Sequence, residues 1–476
     1  MSRGPVLRLG LTRVATLLKS LLFLLYTRKL LATLTMRSLT SLPLDDDIID
    51  LVLTFLPNFP ALGATILASK QIYNIFKIHP NSIIRAVAYN ITGPALPQAM
   101  RLLRYAPPPE PNDPAPLQKI WLESDPISPI TNWEAHCLVK NATIVSSLEN
   151  LFSSRYKDRA SQTSKLDSME SWQFRSAIYR LMLFTQFFNV DDFEYESQVE
   201  NDGEERLKRK NFFSQFPNYE LFAVHSVSIF LRDVAQWTEI ADRSFEYSGF
   251  GDLALVQGPQ KILEAYETLD TETLREITEQ VEDPDDLVEL FKGYLAPPLS
   301  SVFEARKTKP PATDNTHWKS ILKDIQSEND TCHRCHGVYG FDLYNETNWE
   351  NLRGIDSTHK WNINKYLKGN LYQSQSISDY LSSEVDSSTT SIHTRMLREI
   401  HDLRVVSYDT WDKQDWLCAD CIVEILRVHL HLWLLFLKKR SGEIIPDDCW
   451  YGYNCRTQIH NIRHAIRLNH LCDPTR

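Results

Sequence analysis

The chain has 476 residues, 43% of them hydrophobic, and a formal net charge of −10. That is enough apolar material for several globular domains with a sizeable core, and the acidic balance argues against a protein that coats nucleic acid through a broad basic face. Of eight cysteines, only Cys137 precedes residue 332. Paired and clustered beside histidines, the other seven fit metal binding in a reducing compartment, not a disulfide scaffold.

Residues 1–40 are basic and leucine-rich, with Arg3, Arg8, Arg13, Lys19, Arg28, Lys29 and Arg37 and no acid before Asp45. They are expected to be an extension or a targeting segment. Lys19 interrupts the apolar run, so a membrane-spanning helix is not expected. Residues 41–104 follow as short helices. Ile48, Ile49, Val52, Leu53 and Leu56 mark one apolar face behind Ser41 and the acids Asp45–Asp47, which suit a helix start. Pro57 and Pro60 break the chain. A second apolar pattern runs from Leu62 to Phe76, and a third begins at Ile83. Three short helices in one small bundle are expected. The early Leu42-Pro43, the Leu56-Pro57 that ends the first helix and the late Tyr73 resemble the F-box. That resemblance implies docking of Leu42, Pro43, Ile49 and Leu53 on the adaptor of a cullin-RING ubiquitin ligase.

Residues 105–117, rich in proline, read as a linker. Residues 118–330 read as a helical body, with a capping box at Thr273 and Glu276 and a solvated acidic loop over 188–205. The sequence contains no phosphate loop, dinucleotide fingerprint, nucleophile elbow or HExxH helix. His136-Cys137 reads as core packing. No catalytic residue is expected.

Residues 331–440 carry two CxxC knuckles, Cys332 with Cys335 and Cys418 with Cys421. Four thiolates suit tetrahedral zinc. The second knuckle runs into an apolar helix, an arrangement that resembles a treble clef. The 82 residues between the pairs include a Ser-rich insertion over 374–391. His333 and His336 are expected to be spectators or alternates, and a closed structural site is expected.

Residues 446–476 contain Cys449, Cys455, His464 and His470, a Cys2His2 set in about thirty residues, which is too few to fold without a metal or another staple. His460 is a rival ligand to His464. The run from Cys449 through Tyr451, Gly452 and Cys455 to two spaced histidines resembles the poly(ADP-ribose)-binding zinc finger, PBZ. The residues Cys455, Arg456, Thr457, Gln458, His464, Ala465, Asn469, His470 and Cys472 resemble most closely the variant in the checkpoint ubiquitin ligase that carries forkhead-associated and RING domains. It departs from the common form, which has an aromatic-Arg pair after the second cysteine and an Asn-Pro before the first histidine. The resemblance implies stacking of adenine on Tyr451 or Trp450, phosphate binding by Arg456 and reading of the adenine edge by Gln458. Trp450 and Tyr451 have a competing reading as the finger's own small core.

The expected whole is a mostly α, multi-domain protein: an F-box-like three-helix bundle, a helical body, a four-Cys treble-clef-like site and a Cys2His2 finger, with two zinc ions. The resemblances imply a non-enzymatic nuclear receptor for poly(ADP-ribose) or ADP-ribosylated proteins that recruits a cullin-RING ligase. The alternative is a zinc-dependent nucleic-acid-binding protein. No membrane partner is expected.

Overall fold

A computed structural model describes residues 45–104, 128–188, 195–242, 250–268, 274, 294–312, 314–325, 327–349, 366–369, 392–408 and 410–475. The leucine-rich extension, Leu42-Pro43, the proline-rich linker, the capping box at Thr273 and the Ser-rich insertion lie outside the described residues. The protein is mostly helical, and its described strands form one two-stranded ladder. Among the described residues no helix is long and apolar enough to cross a membrane. The chain divides into two compact units, Met1–Val87 and Ala88–Arg476.

The first unit holds α1 (Asp46–Thr54), α2 (Phe59–Ala68), α3 (Lys70–Ile78) and most of α4 (Pro80–Thr92). It has one helix more than the apolar periodicity predicts, because the second apolar run is cut at Ser69. Ser69 is extended, ends α2 and caps α3, its hydroxyl accepting from the Gln71 amide at 3.2 Å. Asn58 caps α2 in the same way, accepting from the Ala61 amide at 2.8 Å. Ile49, Leu53, Leu62, Ile72, Ile75, Ile83 and Val87 are buried. The expected docking pair Ile49 and Leu53 therefore faces inward. One turn apart, they share the face that packs α1 toward α3, and the exposed apolar residues of this stretch are Ile48, Leu51 and Phe55.

In the second unit, α5 (Leu96–Arg104) packs on α6 (Asn132–Tyr156) and α7 (Ser168–Phe187). Residues 88–104 therefore belong with the helical body and not with the N-terminal helices, because Leu96, Ala99, Met100 and Leu102 find their burial there. The body continues with α8 (Tyr195–Ser214), α9 (Asn218–Asp242), α10 (Phe250–Thr268) and α11 (Ala296–Ala305). Helix α8 begins inside the segment expected to be an acidic loop. The basic RLKRK run lies within the same helix, short of its last turn. Capping boxes start α6, at Thr131 and Glu134, and α7, at Asp167 and Glu170. The body's centre is aromatic: the Phe152 ring lies 4.8 Å from Phe174 and 5.3 Å from Phe230.

The C-terminal part is built on one long helix, α13 (Ala419–Arg440), crossed by α12 (Ile392–Asp402). Strand β1 (Leu343–Tyr344) pairs antiparallel with β2 (Leu417–Cys418), which leads into α13. The short helices α14 (Thr457–His460) and α15 (Ile462–Arg467) complete the chain.

Candidate metal centres

Two groups of four side chains could each hold a metal ion: Cys332, Cys335, Cys418 and Cys421, and Cys449, Cys455, His464 and His470. Within each group the ligand atoms all lie within 4.8 Å of one another. All eight cysteines are free thiols.

In the first group, Cys332 Sγ lies 3.6 Å from Cys421 Sγ and Cys335 Sγ 3.8 Å from Cys418 Sγ. A tetrahedron with Zn–S bonds of about 2.3 Å has edges of about 3.8 Å, so the spacing fits. The backbone arranges it. The Cys332 amide bonds the Gly337 carbonyl at 2.9 Å and the His336 amide the Cys332 carbonyl at 2.8 Å, folding the first knuckle. Cys418 sits at the N-cap of α13 and Cys421 in its first turn, where helix amides favour negative sulfur. The Cys418 amide also points at Cys332 Sγ, 3.4 Å away. The Gly337 amide pulls the Cys335 thiol down to about 7, while burial pushes Cys418 and Cys421 up. Thiols so crowded and desolvated become thiolates together only with a cation among them. His333 and His336 are exposed, and His333 Nδ1 lies 3.0 Å from Asp415. Both stand apart from the four sulfurs.

In the second group His464 Nε2 lies 3.3 Å from Cys455 Sγ and 3.9 Å from Cys449 Sγ, bracketing the roughly 3.5 Å edge of a mixed S/N tetrahedron. His464 is fixed by the cap of α15, where Asn461 Oδ1 accepts its amide at 3.1 Å. His470 is buried with no hydrogen bond at either ring nitrogen, and burial pushes its pKa down, toward the neutral ligand form. An imidazole left so would cost stability unless a metal took one nitrogen. His460 is exposed and outside the group. Cys472 is also outside it, its sulfur directed to the carbonyls of Asn469 and Cys449 at 3.4 and 3.6 Å. Gly452 has φ +43°, and a Cβ there would collide with the Cys472 carbonyl, which is why the turn between the cysteines carries glycine.

The residues expected to bind a ligand separate into two kinds. Trp450 and Tyr451 are 62% and 53% exposed, and Arg456 is exposed. Gln458 is 1% exposed, and its amide donates to the Cys455 carbonyl at 2.9 Å. It is a bracket inside the finger, and the adenine-reading role does not carry over to it. Three structural roles were not predicted from the sequence. Asn469 clasps the finger, its Nδ2 donating to Asp448 at 2.6 Å and its Oδ1 accepting from the Leu471 amide at 3.0 Å. Leu471 joins the hydrophobic cluster of α12 and α13. Segment 366–369 meets the finger, with Gly369 at φ +66° against the Tyr453 carbonyl. The finger thus shares a core with the four-Cys region.

The helical body brings together one polar set that resembles a catalytic triad. Ser226 Oγ lies 3.3 Å from His317 Nδ1, and His317 Nε2 lies 4.0 Å from Asp233, which accepts from the Tyr156 hydroxyl at 3.0 Å. Ser226 and His317 are fully buried, and Tyr156 stacks on Trp318 at 4.9 Å. In this structure the set lies inside the packing of the helical body and does not open to solvent at Ser226 or His317. A cavity of about 310 Å³ opens beside Asn150, Ser154, Arg155, Arg159 and Tyr266. Arg159 is already engaged with the Gly340 carbonyl and the Asp330 carboxylate, and it lies 4.6 Å over the Trp416 ring. It fastens the first knuckle to the body.

No family model matches the chain, and no curated protein or solved structure matches it.

Proposed function

We propose that the chain is a zinc-organised receptor for poly(ADP-ribose), with the C-terminal finger as the binding element. The observation that supports this most directly is the exposure of Trp450 and Tyr451 on the turn between Cys449 and Cys455, and of Arg456 directly after it in sequence. A flat ring offers a base a stacking surface worth about 1–3 kcal/mol, and a guanidinium can meet a phosphate with two parallel hydrogen bonds. Zinc at the Cys2His2 group would hold the turn, and a second zinc at the four thiols, in a treble-clef-like setting, would hold the start of α13. Both ions serve structure in this reading. The first unit, F-box-like in its early helices, would couple the receptor to a cullin-RING ligase through Ile48, Leu51 and Phe55, placing the protein in nuclear DNA-damage or checkpoint signalling.

A nucleic-acid reading has one specific feature in its favour. Arg456, Arg463 and Arg467 are exposed, and no acid occurs between Asp448 and Asp473. Competition separates the two. Full-length protein is titrated with labelled poly(ADP-ribose), with and without a zinc chelator, against unlabelled single- and double-stranded DNA of equal phosphate content. The proposal expects binding that chelator abolishes, that DNA displaces poorly, and that Tyr451→Ala and Arg456→Ala each weaken roughly tenfold. Undiminished binding in chelator, or equal displacement by DNA, would remove it.

A further inference from the structure

The finger carries a second surface that polymer binding does not use. Ile459, Ile462 and Ile466 are 50%, 56% and 69% exposed. Ile462 and Ile466 are one turn apart on α15 and share a face. The finger's interior is made without them, from Ala465, Leu471, Gln458 and the ligand side chains. Arg463 and Arg467 are exposed on the same helix. A polyanion gains nothing from three aliphatic side chains, whereas an exposed isoleucine face on a helix that also exposes two arginines suits a partner that offers carbon and negative charge together.

We propose that this ridge docks an acidic protein segment bearing aliphatic side chains at helical spacing. Its carboxylates would pair with Arg463 and Arg467, and its aliphatic face would cover the isoleucines. Charge decides among the occupants. A second copy meeting the ridge symmetrically would set Arg463 and Arg467 against their own counterparts, with no acid between Asp448 and Asp473 to compensate. An anionic bilayer would have to accept a chain of net charge −10 on a patch of two short helices. An acidic amphipathic segment meets neither obstacle.

The test uses the zinc-loaded full-length protein and a fluorescein-labelled helical peptide of glutamates and leucines. One control peptide has every leucine replaced by serine, another every glutamate by lysine. The glutamate-leucine peptide is expected to bind, and both controls at least roughly tenfold more weakly. Ile462→Ser with Ile466→Ser, and separately Arg463→Glu with Arg467→Glu, should each weaken the peptide roughly tenfold or more. The paired serine variant should keep its zinc content and its poly(ADP-ribose) binding, which makes failure here distinguishable from failure of the polymer reading. Equal binding of the serine control, undiminished binding by the paired serine variant, absence of peptide binding, or binding to phosphatidylserine vesicles in its place would overturn the proposal.

Discussion

Replacing Leu471 with alanine asks whether the finger stands alone or is held by its neighbour. Leu471 follows the ligand His470, is fully buried, and belongs to the cluster that contains Leu430, Leu434 and Leu437 of α13. The substitution removes three carbons, worth about 0.8 kcal/mol each in lost transfer energy. The void it leaves adds to this, for a total of about 2–5 kcal/mol. If the cost falls on local opening of the finger, about 3 kcal/mol raises the open population roughly a hundredfold. The assay is transfer of zinc from the full-length protein to a chromogenic chelator, with the finger's phase identified by its absence in Cys455→Ser. That phase should accelerate by between about ten- and a hundredfold in Leu471→Ala. An unchanged rate would mean that Leu471 carries no load and that the shared core is not what keeps the finger closed.

Gly452→Ala forces a Cβ onto the Cys472 carbonyl at a positive φ. The protein should then hold one zinc per chain instead of two, as read by atomic emission. Gly369→Ala meets the Tyr453 carbonyl in the same way, and hydrogen exchange should rise across residues 449–472 with the metal still bound. Arg159→Ala removes the bonds to Gly340 and Asp330. With Asp330 half exposed, a loss of about 1–3 kcal/mol is expected, seen as faster exchange over residues 327–340. Burial holds His431 neutral, with its pKa lowered to about 4. The unfolded chain binds that proton near pH 6.5, so its contribution is intact above about 6.5 and is lost as pH falls toward about 4. His431→Leu should flatten the denaturation midpoint across that window, and an unchanged slope would show that His431 is not the group responsible.

Much of the metal chemistry was legible because ligand identity and spacing are local properties. CxxC pairs and the Cys449, Cys455, His464, His470 run suggest their geometry in the sequence, and the structure groups His464, not His460, with the two cysteines and His470. What was not legible depends on tertiary contact. Apolar periodicity located the first helix of the N-terminal unit but could not say which of its apolar residues face inward, and the outward placement of Ile49 and Leu53 came only from the F-box resemblance. The serine at 69 was readable as a cap only once the chain on both sides was known to be helical. Gln458 looked like a free amide because nothing nearby in sequence shows that two backbone carbonyls wait for it. The aromatic pair at 450 and 451 was equally open to a core reading. The structure leaves it exposed because Leu471 and its α13 neighbours supply the apolar packing that a thirty-residue finger cannot make for itself.

That arrangement has a thermodynamic consequence for the two metals. Helix α13 begins at Cys418 and Cys421, and its leucines share a cluster with Leu471 beside His470. An ion bound at either site would therefore stabilise a surface that the other site packs against, and linkage requires the effect to be reciprocal. Disabling the finger with Cys455→Ser should lower the zinc affinity of the four-Cys site by a factor of roughly 5–150, the usual span of such coupling. Disabling the four-Cys site with Cys421→Ser should lower the finger's affinity by the same factor. Competition titration with a chelator of known affinity measures both. Independent sites would give a factor of one in each direction, and that outcome would leave the shared cluster as contact without coupling. Unequal factors would mean that one substitution unfolds more than the ligand set it was meant to remove.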